Sequence, residues 1–168
     1  MDEITTPAAP MVERLYCEET TVEREIIEHL KSKALGWTYR SRDEVALLRS
    51  DEREVLLLPL LREKLKALNP NVLTDEARVD AIITRLRACR DNKQWIAWLK
   101  DGVNYKFDPA ENAQDVLLIN YDNLDANVWW VTNQFPVEGS SPRRPDIVLF
   151  INGIPVVVEG KNSCRLIE

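Results

Sequence analysis

The segment Arg144-Pro145-Asp146 to Glu159-Gly160-Lys161, RPDIVLFINGIPVVVEGK, decides the reading of this chain. Asn152-Gly153 between two apolar runs is the strongest short-range signal of a two-residue hairpin, because a type I′ turn needs positive φ at both central residues. A turn there pairs Ile151 with Ile154, Phe150 with Pro155 and, further out, Asp146 with Glu159. Hydrogen-bonded and non-hydrogen-bonded pairs alternate outward, so Phe150/Pro155 and Asp146/Glu159 fall in the non-hydrogen-bonded class. Pro155 then deletes no bond within the hairpin, although it weakens pairing to a third strand. Ile, Val, Leu and Phe on both sides of both strands mark a pair buried on two faces.

Two carboxylates facing each other with Cβ atoms roughly 4.5 to 5.5 Å apart repel unless something positive lies between them. A divalent cation meets that need, and Mg²⁺ commonly takes one or two carboxylates together with waters and substrate phosphate. Lys161, two residues beyond Glu159, falls on the same strand face. The alternative is three solvated strand-end charges. Their convergence on one face of an otherwise apolar hairpin favours the cation.

Working outward, helices come first and strands after. Thr20 or Thr21 is the expected N-cap of a helix on which Val22, Ile26, Ile27 and Leu30 recur at helical spacing, within a helical segment from Val22 to Tyr39. Asp51-Glu52-Arg53-Glu54 resembles a capping box opening a helix through about Leu68, with Pro59 as a kink or an earlier break. A further helix starts near Thr74 and carries Val79, Ile82, Ile83 and Leu86. Trp95 and Trp98, three apart on a short helix, read as core rather than as a base-stacking platform. Strands follow: a hairpin near Val103 to Phe107, then Asp115 to Tyr121, then Val128 to Phe135. This order indicates an α/β, α+β-like architecture around a mixed sheet.

The composition, 168 residues with 45% hydrophobic, suits one core that buries roughly two-thirds of the unfolded surface. No apolar run approaches the roughly 18 residues of a membrane span. Residues 1–19, beginning MDEITTPAAP, read as a flexible tail unlike a secretory signal. Residues 20–168 read as one domain, with a helical part over about 20–101 and a sheet with the hairpin over about 103–163. Cys17, Cys89 and Cys164 show no ligand spacing or disulfide framework and read as reduced thiols of a cytoplasmic protein. His29 is the single histidine, which argues against Ser–His or Cys–His nucleophilic catalysis. A net charge of −6 predicts weak autonomous affinity for phosphate backbones. Arg143 and Arg144 are local exceptions, either a phosphate grip or a solvated edge.

The order Pro145-Asp146, apolar hairpin, Glu159-x-Lys161 resembles the PD-(D/E)xK nuclease superfamily. More narrowly, TNQFPVEG (Thr132 to Gly139) followed by RRPDIVLFINGIPVVVEGKN resembles the N-terminal domain of the type I restriction endonuclease R subunit. LLINYDNLDANVWWVTNQF (Leu117 to Phe135) and the helical segment with Leu35-Gly36-Trp37 extend the likeness to most of the chain, the last third being the most specific. The resemblance implies a restriction-endonuclease-like mixed β-sheet core flanked by helices, and Mg²⁺-dependent hydrolysis of DNA phosphodiester bonds. Asp146, Glu159 and the Gly160 carbonyl would hold the metal, and Lys161 would orient the attacking water or neutralise developing charge. The family commonly has Leu at the position of Gly160.

In this superfamily the first helix often supplies a further acid. Glu23 is the candidate here and Glu19 the runner-up, the alternative being an ordinary surface glutamate. The implied partners are double-stranded DNA and the specificity and modification subunits of a restriction complex. The family continues past the position of Glu168 into a helix with a Q-x-x-x-Y element and a translocase motor. This chain is therefore expected to be a fragment or a truncated product, with ATP acting only in the full-length subunit. Two other readings are a standalone repair or junction nuclease and a non-catalytic interaction domain on a degenerate nuclease fold, the latter motivated by Gly160 and the acidic charge.

Overall fold

A computed structural model describes residues 18–160 and 163–166. The first helix, α1 (Glu18–Leu30), already includes Thr20 and Thr21, so neither is its N-cap. Glutamate is a good helix former, which favours helix ahead of the threonines. The expected helical run to Tyr39 stops at Leu30. Gly36 takes φ +69° and the Trp37 N–H bonds to the Leu30 carbonyl, turning the chain into a short strand, β1 (Thr38–Tyr39).

Next comes α2 (Arg42–Ala46), which hydrophobic periodicity does not announce. Ser41 opens it with a reciprocal capping box to Glu44. Helix α3 (Leu58–Leu68) begins at Leu58 and not at Asp51. Pro59 sits in its first turn, where a missing N–H has no intrahelical partner to lose, while Asp51 Oδ1 accepts from the Arg53 and Glu54 amides in a local turn at 2.7 and 3.2 Å. Helices α4 (Glu76–Ala88) and α5 (Asn92–Asp101) are capped by Asp75 and Asp91. Trp98 is buried and Trp95 packs against the same core, as expected of core tryptophans. No helix among the described residues is long and apolar enough to cross a membrane.

The strands are shorter and more divided than their sequence pattern suggests. β2 (Val103–Tyr105) and β3 (Gln114–Val116) form a separate two-stranded sheet. The run to Tyr121 stops being a strand after Val116 because the Asn69 side chain takes the place of a partner: it accepts from Leu117 N at 2.8 Å and donates to Leu117 O at 2.9 Å. The main sheet holds β4 (Trp129–Asn133), β5 (Ile147–Ile151), β6 (Ile154–Gly160) and β7 (Ser163–Leu166) in the order β1-β4-β5-β6-β7. It is mixed, since β1 runs parallel to β4 and the other pairs are antiparallel.

Strand β5 lies at the centre and is covered on both faces. Ile147 and Leu149 pack with Ile26, Ile27 and Leu30 of α1. Val148 and Phe150 pack with Val45 of α2 and with Leu57 and Leu60. A larger core joins α3, α4, α5 and the small sheet to the turn end of the hairpin through Ile151 and Ile154.

The turn is as expected, with φ +53° at Asn152 and +83° at Gly153. Its outward register is not. Ile151 pairs with Ile154 and Phe150 with Pro155, but a bulge then slips the ladder so that Leu149 faces Val157 and Ile147 faces Glu159. Asp146 therefore does not stand opposite Glu159. The extra residue is Val156, directly after Pro155, and bulges are among the few places where a sheet accepts proline. Because directly paired residues share a face, the slip puts Glu159 on the face of Ile147, the one covered by α1.

Candidate active site

Asp146 lies at the entrance to β5, anchored through its backbone on both sides. Its N–H donates to the Glu159 carbonyl at 2.8 Å and its carbonyl accepts from Gln134 N at 3.0 Å. Gln134 directly follows β4 and has φ +52°. Its side-chain Nε2 donates to Asp146 Oδ1 at 3.2 Å and to Glu23 Oε1 at 2.8 Å, so two carboxylates distant in sequence share one amide. Glu23 is only 9% exposed. Its other oxygen accepts from Asn133 Nδ2 at 3.3 Å, and Asn133 Oδ1 in turn accepts from the Tyr39 hydroxyl at 2.9 Å. Arg144 Nε closes the network by donating to Gln134 Oε1 at 2.6 Å.

The structure thus brings Glu23 to Asp146, while the Glu19 side chain and all of Lys161 lie outside the described residues. Glu159 and Gly160 are half-buried at the end of β6. A Cβ built on Gly160 would lie 3.9 Å from both Asp146 Oδ2 and Pro145 Cα, which is ordinary van der Waals contact. A β-carbon fits there, so glycine is not required by crowding at that atom. Beside Glu23 opens a cleft of about 340 Å³ lined by Arg24, Glu28, Lys31, Tyr39 and Asn133. Arg143 is exposed and its backbone bridges to Val137. Cys89 is a half-buried free thiol, Cys17 lies outside the described residues, and His29 is exposed in the last turn of α1.

Among the described residues no group of three or more His, Cys, Asp and Glu side chains is gathered closely enough to hold a metal ion. The donor chemistry nevertheless suits a hard cation. Glu23, Asp146 and Glu159 offer carboxylate oxygens alone, and Mg²⁺ commonly needs only one or two of them. The two N–H bonds of Gln134 lie between Glu23 and Asp146, where a positive partner is wanted.

Gln134, Asn133 and Tyr39 are the site residues that periodicity missed. The available signal was a polar Asn-Gln pair at the end of an otherwise apolar strand, immediately before Phe135-Pro136.

A mixed sheet flanked by helices, with acids from a helix and a strand entrance gathered at one end of the hairpin, defines an α/β domain with an acidic polar site. Residues 16–165 match the family described as type I restriction enzyme R protein N terminus, and the chain belongs to that family. A protein of Methanocaldococcus jannaschii provisionally named as the type I restriction enzyme MjaIXP endonuclease subunit is 32% identical over 157 residues, covering 84% of this chain. The type I restriction enzyme HindI endonuclease subunit of Haemophilus influenzae is 28% identical over 163 residues, covering 88% of it. The chain spans about 15% of the length of these two relatives.

Proposed function

We propose that this chain is the nuclease domain of a type I restriction R subunit and hydrolyses DNA phosphodiester bonds with Mg²⁺ at a PD-(D/E)xK site. One observation carries the proposal: Glu23 and Asp146 share the Gln134 amide at the end of the hairpin where Glu159 and Gly160 arrive. Like charges so arranged call for a cation.

Asp146, Glu159 and the Gly160 carbonyl would hold the Mg²⁺, with Glu23 as the further acid from the first helix. When bound, the ion supplies a water of lowered pKa and neutralises charge on the phosphate oxygens. Lys161, from its place two residues beyond Glu159, orients the attacking water or offsets developing charge; that role needs a positioned cation more than a proton acceptor. In the cleft beside Glu23, Lys31 is paired with Glu28 at 2.8 Å, which leaves Arg24 as the basic group to meet a phosphate. The substrate is double-stranded DNA and the setting the cytoplasm. Site recognition belongs to specificity and modification subunits, and ATP-driven translocation to the remainder of a longer subunit, as the length of the relatives suggests.

The test is plasmid cleavage by the R subunit assembled with its partners, comparing the parent with Asp146→Ala and Glu159→Ala. Cutting is expected to fall to background in both while DNA-dependent ATP hydrolysis persists. Parental cutting by Asp146→Ala would refute the assignment.

A further inference from the structure

We infer that Gln134 is a positioning residue of this acidic site: its amide holds one oxygen each of Glu23 and Asp146 and leaves Asp146 Oδ2, beside Gly160, without a hydrogen-bond partner among the described residues, where a cation would bind. The inference rests on the metal-dependent reading above.

The backbone is the first observation. Gln134 has φ +52°, a conformation that is unfavourable for a residue with a Cβ and that persists where its surroundings over-determine it. Glycine or asparagine would be the ordinary choice there. A glutamine kept at such a position is expected to have work for its side chain.

The partners are the second. An arginine Nε–H can only donate, so Arg144 selects Oε1 of the amide, at 2.6 Å. Ionised carboxylates can only accept, so Glu23 and Asp146 select Nε2, at 2.8 and 3.2 Å. Those contacts fix which way the amide points. A glutamate here would set a third acceptor against two carboxylates, and an asparagine is one methylene shorter. Gln134 N also bonds the Asp146 carbonyl at 3.0 Å, so main chain and side chain grip the same residue.

The geometry also divides the oxygens of Asp146. Oδ1 is taken by Gln134, whereas Oδ2 lies 3.9 Å from the position of a Gly160 Cβ. The Gln134 hydrogens offset part of the repulsion between Glu23 and Asp146 before any ion arrives, which keeps the pair assembled. Partners that orient a metal ligand in this way typically contribute about 10- to 100-fold in metal affinity.

Gln134→Gly separates the two roles, because glycine accepts φ +52° without strain while the amide is lost. Mn²⁺ is titrated by calorimetry into the chain, into Gln134→Gly and into Glu159→Ala, alone and with a short duplex, and each metal-free protein is melted. The expected result is a folded Gln134→Gly whose Mn²⁺ dissociation constant is raised roughly 10- to 100-fold, its melting temperature reflecting the relieved φ against the lost hydrogen bonds. Gln134→Asn, which also tolerates the left-handed backbone, is expected to weaken Mn²⁺ similarly and decides the matter if the glycine variant does not fold. Parental Mn²⁺ affinity in the folded variants would overturn the inference alone, whatever their melting temperatures. A parent chain that binds no Mn²⁺, with or without duplex, would overturn both the inference and the metal-dependent reading.

Discussion

Asn152 does more than turn the hairpin. It is fully buried, its Oδ1 accepts from Val128 N at 2.8 Å, and its Nδ2 donates to Leu118 O and Asn127 Oδ1, both at 2.9 Å. Asn152→Ala would strand a buried N–H and a buried carbonyl and put alanine at positive φ, so a loss of about 3 kcal/mol is expected in urea unfolding. Gly153→Ala is expected to destabilise as well, because its Cβ would meet Leu57 O at 2.8 Å and Leu61 N at 3.1 Å in addition to the strained φ. A melting temperature unchanged in either variant would contradict this account of the turn.

At the scale of elements, the β5–β6 bulge decides which face Glu159 occupies, and so whether it shares a side with α1 and Glu23. Bulges re-aim side chains in this way beside active sites. Helix α2 depends on its cap. Glu44 accepts from Ser41 N at 2.8 Å and from the Ser41 hydroxyl at 3.0 Å, and these bonds, the backbone one first, hold its carboxyl below the ordinary value of 4.5. A carboxyl whose folded pKa is depressed contributes stability above its unfolded pKa and loses it as pH falls through the folded value. Ser41→Ala removes the hydroxyl bonds to Glu44 and is expected to destabilise the protein near pH 7. The penalty should shrink on acidification below the carboxylate range, as followed by urea melts across pH.

For the whole molecule, α1 is the most separable part. Its apolar anchors Ile26, Ile27 and Leu30 meet the sheet in a small cluster with Val131 and Ile147, apart from the larger core that joins α3, α4 and α5. Elements with few buried apolar contacts open locally before the molecule unfolds. Ile27→Ala, removing a side chain only 8% exposed, is expected to weaken α1 docking by about 2 to 4 kcal/mol. Amides of α1 should then exchange faster in hydrogen-exchange measurements while those of β4 and β5 stay protected. On the metal-dependent reading proposed above, the same variant should need more metal for cleavage, because α1 carries Glu23. Equal acceleration of exchange throughout would show that α1 is not a separate unit.

Local chemistry in the sequence was enough for the helices-then-strands order, the Asn152-Gly153 turn, the two-faced burial of the hairpin, and Asp146 and Glu159 as candidates, whereas Glu23 entered only through the family resemblance. Periodicity, turn residues and charge in an apolar run are properties of neighbouring residues. Tertiary structure alone decided the start of α3, the end of β3 against the Asn69 side chain, and the slip that separates Asp146 from Glu159. It also decided the meeting of Glu23 with Asp146 on the Gln134 amide. Each of those depends on a hydrogen bond or a packing face supplied from elsewhere in the chain, which no local pattern encodes.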